Sequence, residues 1–181
     1  MHPSLFNQTP ADLADLLEGL GEPSYRGRQI LEWLWQKRST SIDEMSNLPA
    51  RLRDHLKASF SLRSLTHVRT QGSRDSTRKF LFRLHDECHV ECVLIPASPA
   101  LHGERAHRRT LCVSSQVGCA YGCRFCASGL DGFTRNLTAD EIAEQVLLAE
   151  ELSGEKVHNI VFMGMGEPLA NLPQLLKAFE L

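Results

Sequence analysis

The run Thr110-Leu111-Cys112-Val113-Ser114-Ser115-Gln116-Val117-Gly118-Cys119-Ala120-Tyr121-Gly122-Cys123-Arg124-Phe125-Cys126 carries a strand directly into three thiols spaced four and three residues apart. Thiolates are soft ligands that select Fe–S clusters, zinc or copper(I). Three of them on one short loop can face a common point, and Gly122 is expected to relieve the backbone where the turn is tightest. The odd count is informative. A structural zinc site takes four protein ligands, and ordinary clusters take four cysteines. A 4Fe–4S cluster on Cys119, Cys123 and Cys126 alone therefore leaves one iron open to a small molecule.

Downstream, Thr138 caps a helix from Ala139 to about Leu152, with Ile142, Val146, Leu147 and Ala149 on its inner side and Gly154 at its end. Asn159-Ile160-Val161-Phe162-Met163 reads as a buried strand, followed by Gly164-Met165-Gly166-Glu167-Pro168 and a last helix near Leu172. Strand, ligand loop, helix, strand, glycine loop, helix is a βαβα series. It predicts an α/β fold with parallel strands and functional loops at their C-terminal ends.

Upstream, the first sixty residues read as a helical unit. Thr9-Pro10 caps a helix with Leu13, Leu16, Leu17 and Leu20, and Gly21 stops it. Ser24 is expected to cap a second helix carrying Ile30, Leu31, Leu34 and Trp35, and Pro49 begins a third with Leu52, Leu56 and Phe60. Trp33 and Trp35 read as packing residues in preference to base-stacking ones. From Leu65 the period changes to two: 67–71, 79–84 and 89–95 read as strands, with a connector from Pro96 to Arg109.

The chain is 42% hydrophobic and carries a net charge of −2, a composition of the globular class. Residues 61–111 hold nine basic against five acidic groups, whereas residues 112–181 hold four against nine. The basic middle segment is a candidate phosphate contact, with a solvated hairpin face as the plain alternative. No apolar run reaches membrane-spanning length, and the N-terminal residues lack a signal-peptide layout. Six cysteines without such a leader favour ligand or catalytic thiols in a reducing compartment over a disulfide framework.

Four runs taken in order carry a family resemblance: Val90-Glu91-Cys92-Val93-Leu94-Ile95-Pro96, then Leu111 through Cys119, then Gly132-Phe133-Thr134-Arg135-Asn136-Leu137-Thr138, then Met163 through Leu169. With the C-x3-C-x2-C loop and Phe125, they are similar to the RlmN/Cfr family of radical S-adenosylmethionine RNA adenine methyltransferases. Cys92 departs from the pattern, where Thr or a similar residue is usual. The resemblance implies a helical RNA-binding accessory domain over 1–62, a β-hairpin and connector over 63–104, and over 105–181 the first part of a partial (β/α)6 barrel, truncated after its second strand.

The same resemblance implies that Cys119, Cys123 and Cys126 hold a 4Fe–4S cluster whose open iron takes the amino and carboxylate groups of S-adenosylmethionine. Gly164 and Gly166 would let backbone approach the bound methionine group, and Glu167 would accept its ammonium. In the resembled chemistry a methyl group is moved to a cysteine near the C-terminus of the full-length enzyme. A radical takes a hydrogen from it, and the carbon radical adds to an adenine ring carbon, with C2 favoured. Cys112 matches the thiol that releases the product through a transient disulfide, and Glu91 matches the proton acceptor. Implied partners are 23S rRNA, with tRNA as a further candidate, and an electron donor such as flavodoxin. The implied protein is cytoplasmic and, at full length, a monomer. No methyl-carrying cysteine is recognised in this chain, so it is expected to be inactive alone.

Plainer readings stand beside these. Cys112 is also a small buried hydrophobe on a strand, and Glu91 an outward strand residue paired with an arginine. Cys88 and Cys92 share a strand face near His89, His102 and His107, which makes a second metal site a minor alternative. The contrasting function class is a non-enzymatic RNA-binding module with a structural metal. Ligand count separates the two. After anaerobic iron–sulfur reconstitution, Ala at Cys119, Cys123 or Cys126 should each abolish the brown colour and visible absorption, and Ala at Cys112 should not. Full cluster content in all three loop variants, read by iron and sulfide analysis, would remove the cluster assignment.

Overall fold

The computed structural model describes residues 2–73, 76–97 and 108–181. Arg74, His102, His107 and most of the expected connector lie outside the described residues. The chain forms two compact units, one of residues up to Ser64 with Glu180–Leu181, the other Leu65–Phe179.

In the first unit, α1 (Pro10–Gly19) starts at a reciprocal cap in which Asp12 N–H donates to Thr9 Oγ1 at 3.2 Å and Thr9 N–H donates to Asp12 Oδ2 at 2.9 Å. Such a box satisfies two N–H groups that the first helical turn leaves unpaired. Leu13 and Leu17 are fully buried. The second helix differs from expectation at both ends. Ser24 makes no capping bond to α2 (Tyr25–Leu31), which continues as a π-helical turn over Glu32–Gln36. Both tryptophans pack. The Trp35 ring meets Phe6 edge-on at 5.1 Å, and Trp33 Nε1 donates to Asn47 Oδ1 at 2.6 Å beneath the Lys37 ammonium. Helix α3 (Ala50–Ser59) buries Leu52 and Leu56; Phe60 falls just beyond it.

The second unit is built on a five-stranded sheet in the order β1-β2-β3-β4-β7: β1 (Thr66–Gln71), β2 (Arg78–Arg83), β3 (His89–Pro96), β4 (Arg109–Cys112) and β7 (Asn159–Val161). The first four pair antiparallel, whereas β4 and β7 are parallel, with Cys112 opposite Val161. The parallel pair is the βαβ unit read from sequence. The strands read as a hairpin extend the same sheet, through Val93–Pro96 on β4. Between β4 and β7 the chain makes a small antiparallel pair, β5 (Gln116–Gly118) with β6 (Phe133–Asn136), and then α4 (Ala139–Ser153). A last helix, α5 (Leu172–Glu180), follows β7.

Strand alternation sorts the side chains into two faces. Phe80, Phe82, Val90, Cys92, Leu94 and Leu111 form the core with Ile142 and Ala149 of α4. Burying each of the larger side chains contributes roughly 2–3 kcal/mol. Lys79, Leu81, Glu91, Val93 and Cys112 take the opposite, open face and stay partly exposed.

One polar clamp ties the β2–β3 turn to the start of α4. Arg135 Nε donates to Asp86 Oδ2 at 2.6 Å, and its two terminal nitrogens reach both Glu141 oxygens at 2.7 and 2.8 Å. Glu141 is only 1% exposed, so Arg135→Met should cost about 3 kcal/mol in urea unfolding, because it leaves a buried carboxylate with only the Thr138 N–H at 2.9 Å and His85 beside it. The Arg135 guanidinium also draws the Asp86 carboxyl from 3.8 down to about 2. A depressed carboxyl stabilises the fold above its unfolded value and loses that contribution as pH falls toward its folded one. Stability should therefore drop between about pH 4 and pH 2, and Asp86→Asn should flatten that part of the pH profile.

Candidate functional site

Two loops leave the C-terminal ends of the adjacent parallel strands β4 and β7, the placement that α/β folds use for ligands. The first is the cysteine loop, held at its base by β5 and β6: Gln116 pairs with Asn136, Val117 with Arg135, and Cys119 N–H donates to Gly132 O at 3.0 Å. The relief expected at Gly122 falls elsewhere. Gly122 has open space around its α-carbon and no left-handed backbone, whereas Gly118 has φ +71° and a Cβ there would lie 2.0 Å from Gly132 O. The crowding is at the neck of the loop, not at its tip.

Cys119 and Cys126 are partly exposed and Cys123 is exposed, beside Phe125 at 93% exposure. A hydrogen bond from the Ser128 hydroxyl, with one from its backbone N–H, draws the Cys126 thiol below the usual thiol range. Among the described residues no three His, Cys, Asp or Glu side chains converge on one metal ion. A tetrahedral ion with metal–sulfur bonds of about 2.3 Å needs its sulfurs about 3.8 Å apart, and the three loop thiols are not gathered in that way. A larger iron–sulfide cage does not need them so close, and a donor set of three soft thiols on one loop fits such a group.

The other three cysteines are placed by the sheet. Cys92 is fully buried in the core, and burial pushes its thiol far above the usual range. Cys88 precedes β3 instead of lying in it, and its N–H is bound to Asp86 Oδ1 at 3.1 Å. The second metal site therefore has no geometry among the described residues. Cys112 faces the open side, where it sits opposite Val93, two residues from Glu91 on the same strand. Such diagonal neighbours are separated by roughly 7–8 Å between α-carbons, so Glu91 and Cys112 share one patch of the open face. Burial raises the Cys112 thiol, opposed by a bond from the Met163 backbone. All six cysteines are free.

Glu91 points outward as expected, but its partner is Lys79, with Nζ 2.9 Å from Oε1. Arg78, which the charge count placed among phosphate contacts, is buried and donates to Glu155 Oε1 at 2.8 Å. Strand parity turns Arg78 inward and leaves Lys79 on the open face.

The second loop is Gly164–Glu167. Its glycines have a packing cause. A Cβ on Gly164 would lie 2.7 Å from Ser114 Oγ, and one on Gly166 (φ +94°) would lie 2.5 Å from Gln116 Cβ. Met165 N–H donates to Ser114 Oγ at 2.9 Å, and Ser115 N–H donates to Met165 O at 2.9 Å. Ser114 Oγ in turn donates to Glu91 O at 2.6 Å. The Glu167 carboxylate accepts from Leu169 N–H at 3.4 Å, and its own N–H donates to Gln116 Oε1 at 2.9 Å. Ser114 and Gln116, together with Gln145 of α4, were not singled out by sequence. The signal for the first two is three consecutive polar residues, Ser114-Ser115-Gln116, between the apolar Val113 and Val117.

Comparison with known proteins agrees with this geometry. Residues 4–62 match the ribosomal RNA large subunit methyltransferase N-terminal domain, and residues 113–181 match the radical SAM superfamily. A probable dual-specificity RNA methyltransferase RlmN from Akkermansia muciniphila is 50% identical over 179 residues, 99% of this chain and 50% of that protein. Over nearly its whole length this chain matches the first half of RlmN proteins. The dual-specificity RNA methyltransferase RlmN of Geobacter sulfurreducens is 46% identical over 94% of this chain and 44% of its own length. The crystal structure of a radical SAM methyltransferase from Sphaerobacter thermophilus superposes with a TM-score of 0.85 at 41% identity, covering 98% of this chain and 51% of that one. The chain thus spans about half the length of the relatives it matches. The cofactors of a radical SAM family are a 4Fe–4S cluster and S-adenosylmethionine, and the three loop thiols are a donor set suited to the first. No helix of the described residues is long and apolar enough to cross a membrane.

The thiol environments predict a reactivity order. In metal-free protein at neutral pH, the lowered Cys126 thiol carries more thiolate than the raised Cys112 thiol and should be alkylated before it. Cys112 should lag, and Cys92 should stay unmodified until the fold opens, by at least about tenfold in rate. Peptide mass spectrometry after timed iodoacetamide quenching checks this. Early labelling of Cys92 would contradict its placement in the core.

Proposed function

We propose that this chain supplies the cluster-binding and thiol-bearing half of a radical SAM methyltransferase that acts on an adenine ring carbon, C2, of 23S rRNA and tRNA. The observation that carries the reading is the shared open face. Glu91 and Cys112 lie diagonally on adjacent strands, and Ser114 joins the Glu91 carbonyl to the turn that follows β7. Acid–base and thiol groups thus sit beside the two loops suited to the cofactors.

The 4Fe–4S cluster and S-adenosylmethionine, when bound, supply one-electron chemistry and the methyl group. Cys119, Cys123 and Cys126 hold the cluster, and Gly166 and Glu167 contact the methionine end of S-adenosylmethionine. The remaining work falls to side chains of the open face. Glu91, oriented by Lys79, accepts the proton that leaves the adenine carbon. Cys112, as thiolate, attacks the sulfur of a methyl-carrying cysteine in the other half of the protein. A sulfur–sulfur bond forms, the carbon–sulfur bond to RNA breaks, and the electron pair left on carbon takes a proton to complete the new methyl group. Because burial raises the Cys112 thiol, this step needs a base or a change of environment at the moment of reaction.

The helical unit and the exposed strand β1 are assigned to RNA contact, with 23S rRNA and tRNA as partners and a flavodoxin-like protein as electron source. The full-length protein is read as a cytoplasmic monomer. None of the six cysteines is placed as the methyl carrier, so residues 1–181 by themselves should yield no methylated RNA.

Cys112→Ala tests the assignment. In the reconstituted chain it should keep the cluster. In a version extended with the second half found in its relatives, it should accumulate a covalent protein–RNA adduct, visible as an RNase-sensitive shift on denaturing gels. Loss of the cluster in Cys112→Ala would make it a ligand and favour a structural metal in an RNA-binding module.

A further inference from the structure

Gln116 is 2% exposed, yet its amide is spent on the two loops of the site and not on the core. Oε1 accepts from Glu167 N–H at 2.9 Å, and Nε2 donates to Asn136 Oδ1 at 2.8 Å. Asn136 lies on β6, the strand that closes the cysteine loop, directly opposite Gln116. Glu167 closes the glycine turn after β7 and begins the short 3-10 turn Pro168–Asn171. Gln116 N–H also donates to Met165 O at 3.2 Å. Gly166 is held so close to this side chain that any Cβ there would strike its β- and γ-carbons.

The neighbouring polar residues serve a different end. Gln145 and Asn171 satisfy the backbone of Ser114 and Ser115, which is a demand of the fold. Gln116 spans the cysteine-loop hairpin and the glycine turn with one rigid amide. A planar amide with one donor and one acceptor side sets both the separation and the mutual orientation of the groups it bridges. Buried hydrogen bonds of this kind lose much when one member is removed, because the partner is left unpaired.

We propose that Gln116 is a positioning residue for the cofactor pair: its amide fixes the cysteine loop against the Gly164–Glu167 turn, so that what the turn holds faces what the loop holds. The proposal rests on the cofactor reading of those two loops. It assigns Gln116 no contact with either cofactor.

Two variants of the 181-residue chain test it. Gln116→Met keeps length and shape but loses both bonds. Gln116→Glu keeps an acceptor for Glu167 N–H, and the Asn136 amide, turned over, can donate to it. Amide hydrogen exchange, which needs no cofactor, should show Glu167 and Cys119 exchanging at least about tenfold faster in Gln116→Met, with α4 unchanged and Gln116→Glu close to the parent. After anaerobic reconstitution both variants should hold as much iron and sulfide as the parent. The spectral change of the reduced cluster on adding S-adenosylmethionine should then need about tenfold more ligand in Gln116→Met, equivalent to about 1.4 kcal/mol. Gln116→Glu should restore it.

Parental exchange at Glu167 in Gln116→Met would overturn the proposal, and so would equal loss of protection throughout residues 65–179, which would mark a general structural role. A parent chain that forms no cluster, or forms one that ignores S-adenosylmethionine, would overturn the cofactor reading instead. The exchange arm still decides Gln116 in that case: loss confined to the two loops supports it, and any other pattern rejects it.

Discussion

Where β4 leaves the sheet, its backbone groups must find new partners in a place that water does not reach. Past Cys112 the chain turns out toward the cysteine loop, but Ser114 and Ser115 remain buried. An unpaired peptide group there costs on the order of 1–3 kcal/mol. The Gln145 side chain answers both Ser114 groups, accepting from its N–H at 2.9 Å and donating to its carbonyl at 3.0 Å. Asn171 donates to Ser115 O at 2.8 Å, and Ser115 N–H is taken by Met165 O. Helix α4, the 3-10 turn that holds Asn171 and the glycine turn after β7 are thereby bound to one short segment of chain. The cysteine loop starts only a few residues further on, and its placement inherits that rigidity.

The glycines of the turn illustrate how one feature can carry two demands. Gly164 and Gly166 are needed because Ser114 and Gln116 press against them, whatever else the turn binds. A substitution there would first open the contact between the two loops. Packing and cofactor approach are not competing explanations, since a turn that lies tight on its inner side is also held still on its outer side.

Sheet parity does the chemical sorting. Cys92 and Cys112 are on neighbouring strands, but their register places them on opposite faces. One is sealed among phenylalanines and leucines, and its thiolate is heavily disfavoured there. The other stands with Glu91 and Lys79 on the open face. A shift of one residue in the pairing of β3 with β4 would put both on one face. The alternating apolar face of β2, β3 and β4 prevents that shift, so the core fixes which cysteine is available.

The sequence by itself determined the local features: the three-thiol loop, the helix starts at Pro10 and Ala139, the strands of the sheet, and the family resemblance. These are short-range signals, set by spacing, capping and period. It missed the β5–β6 neck, because three- and four-residue strands carry too little pattern to stand out, and it set the loop's strain at Gly122 when the crowding lies at Gly118. Only the tertiary structure decided that Arg78 turns inward to Glu155 while Lys79 meets Glu91, that Cys92 is sealed in the core while Cys88 falls outside its strand, and that Gln116 bridges the two loops. Each of those outcomes depends on which residues of distant segments come to face each other. That is fixed by strand register and by the need to pair every buried polar group, and neither is written in any one stretch of the chain.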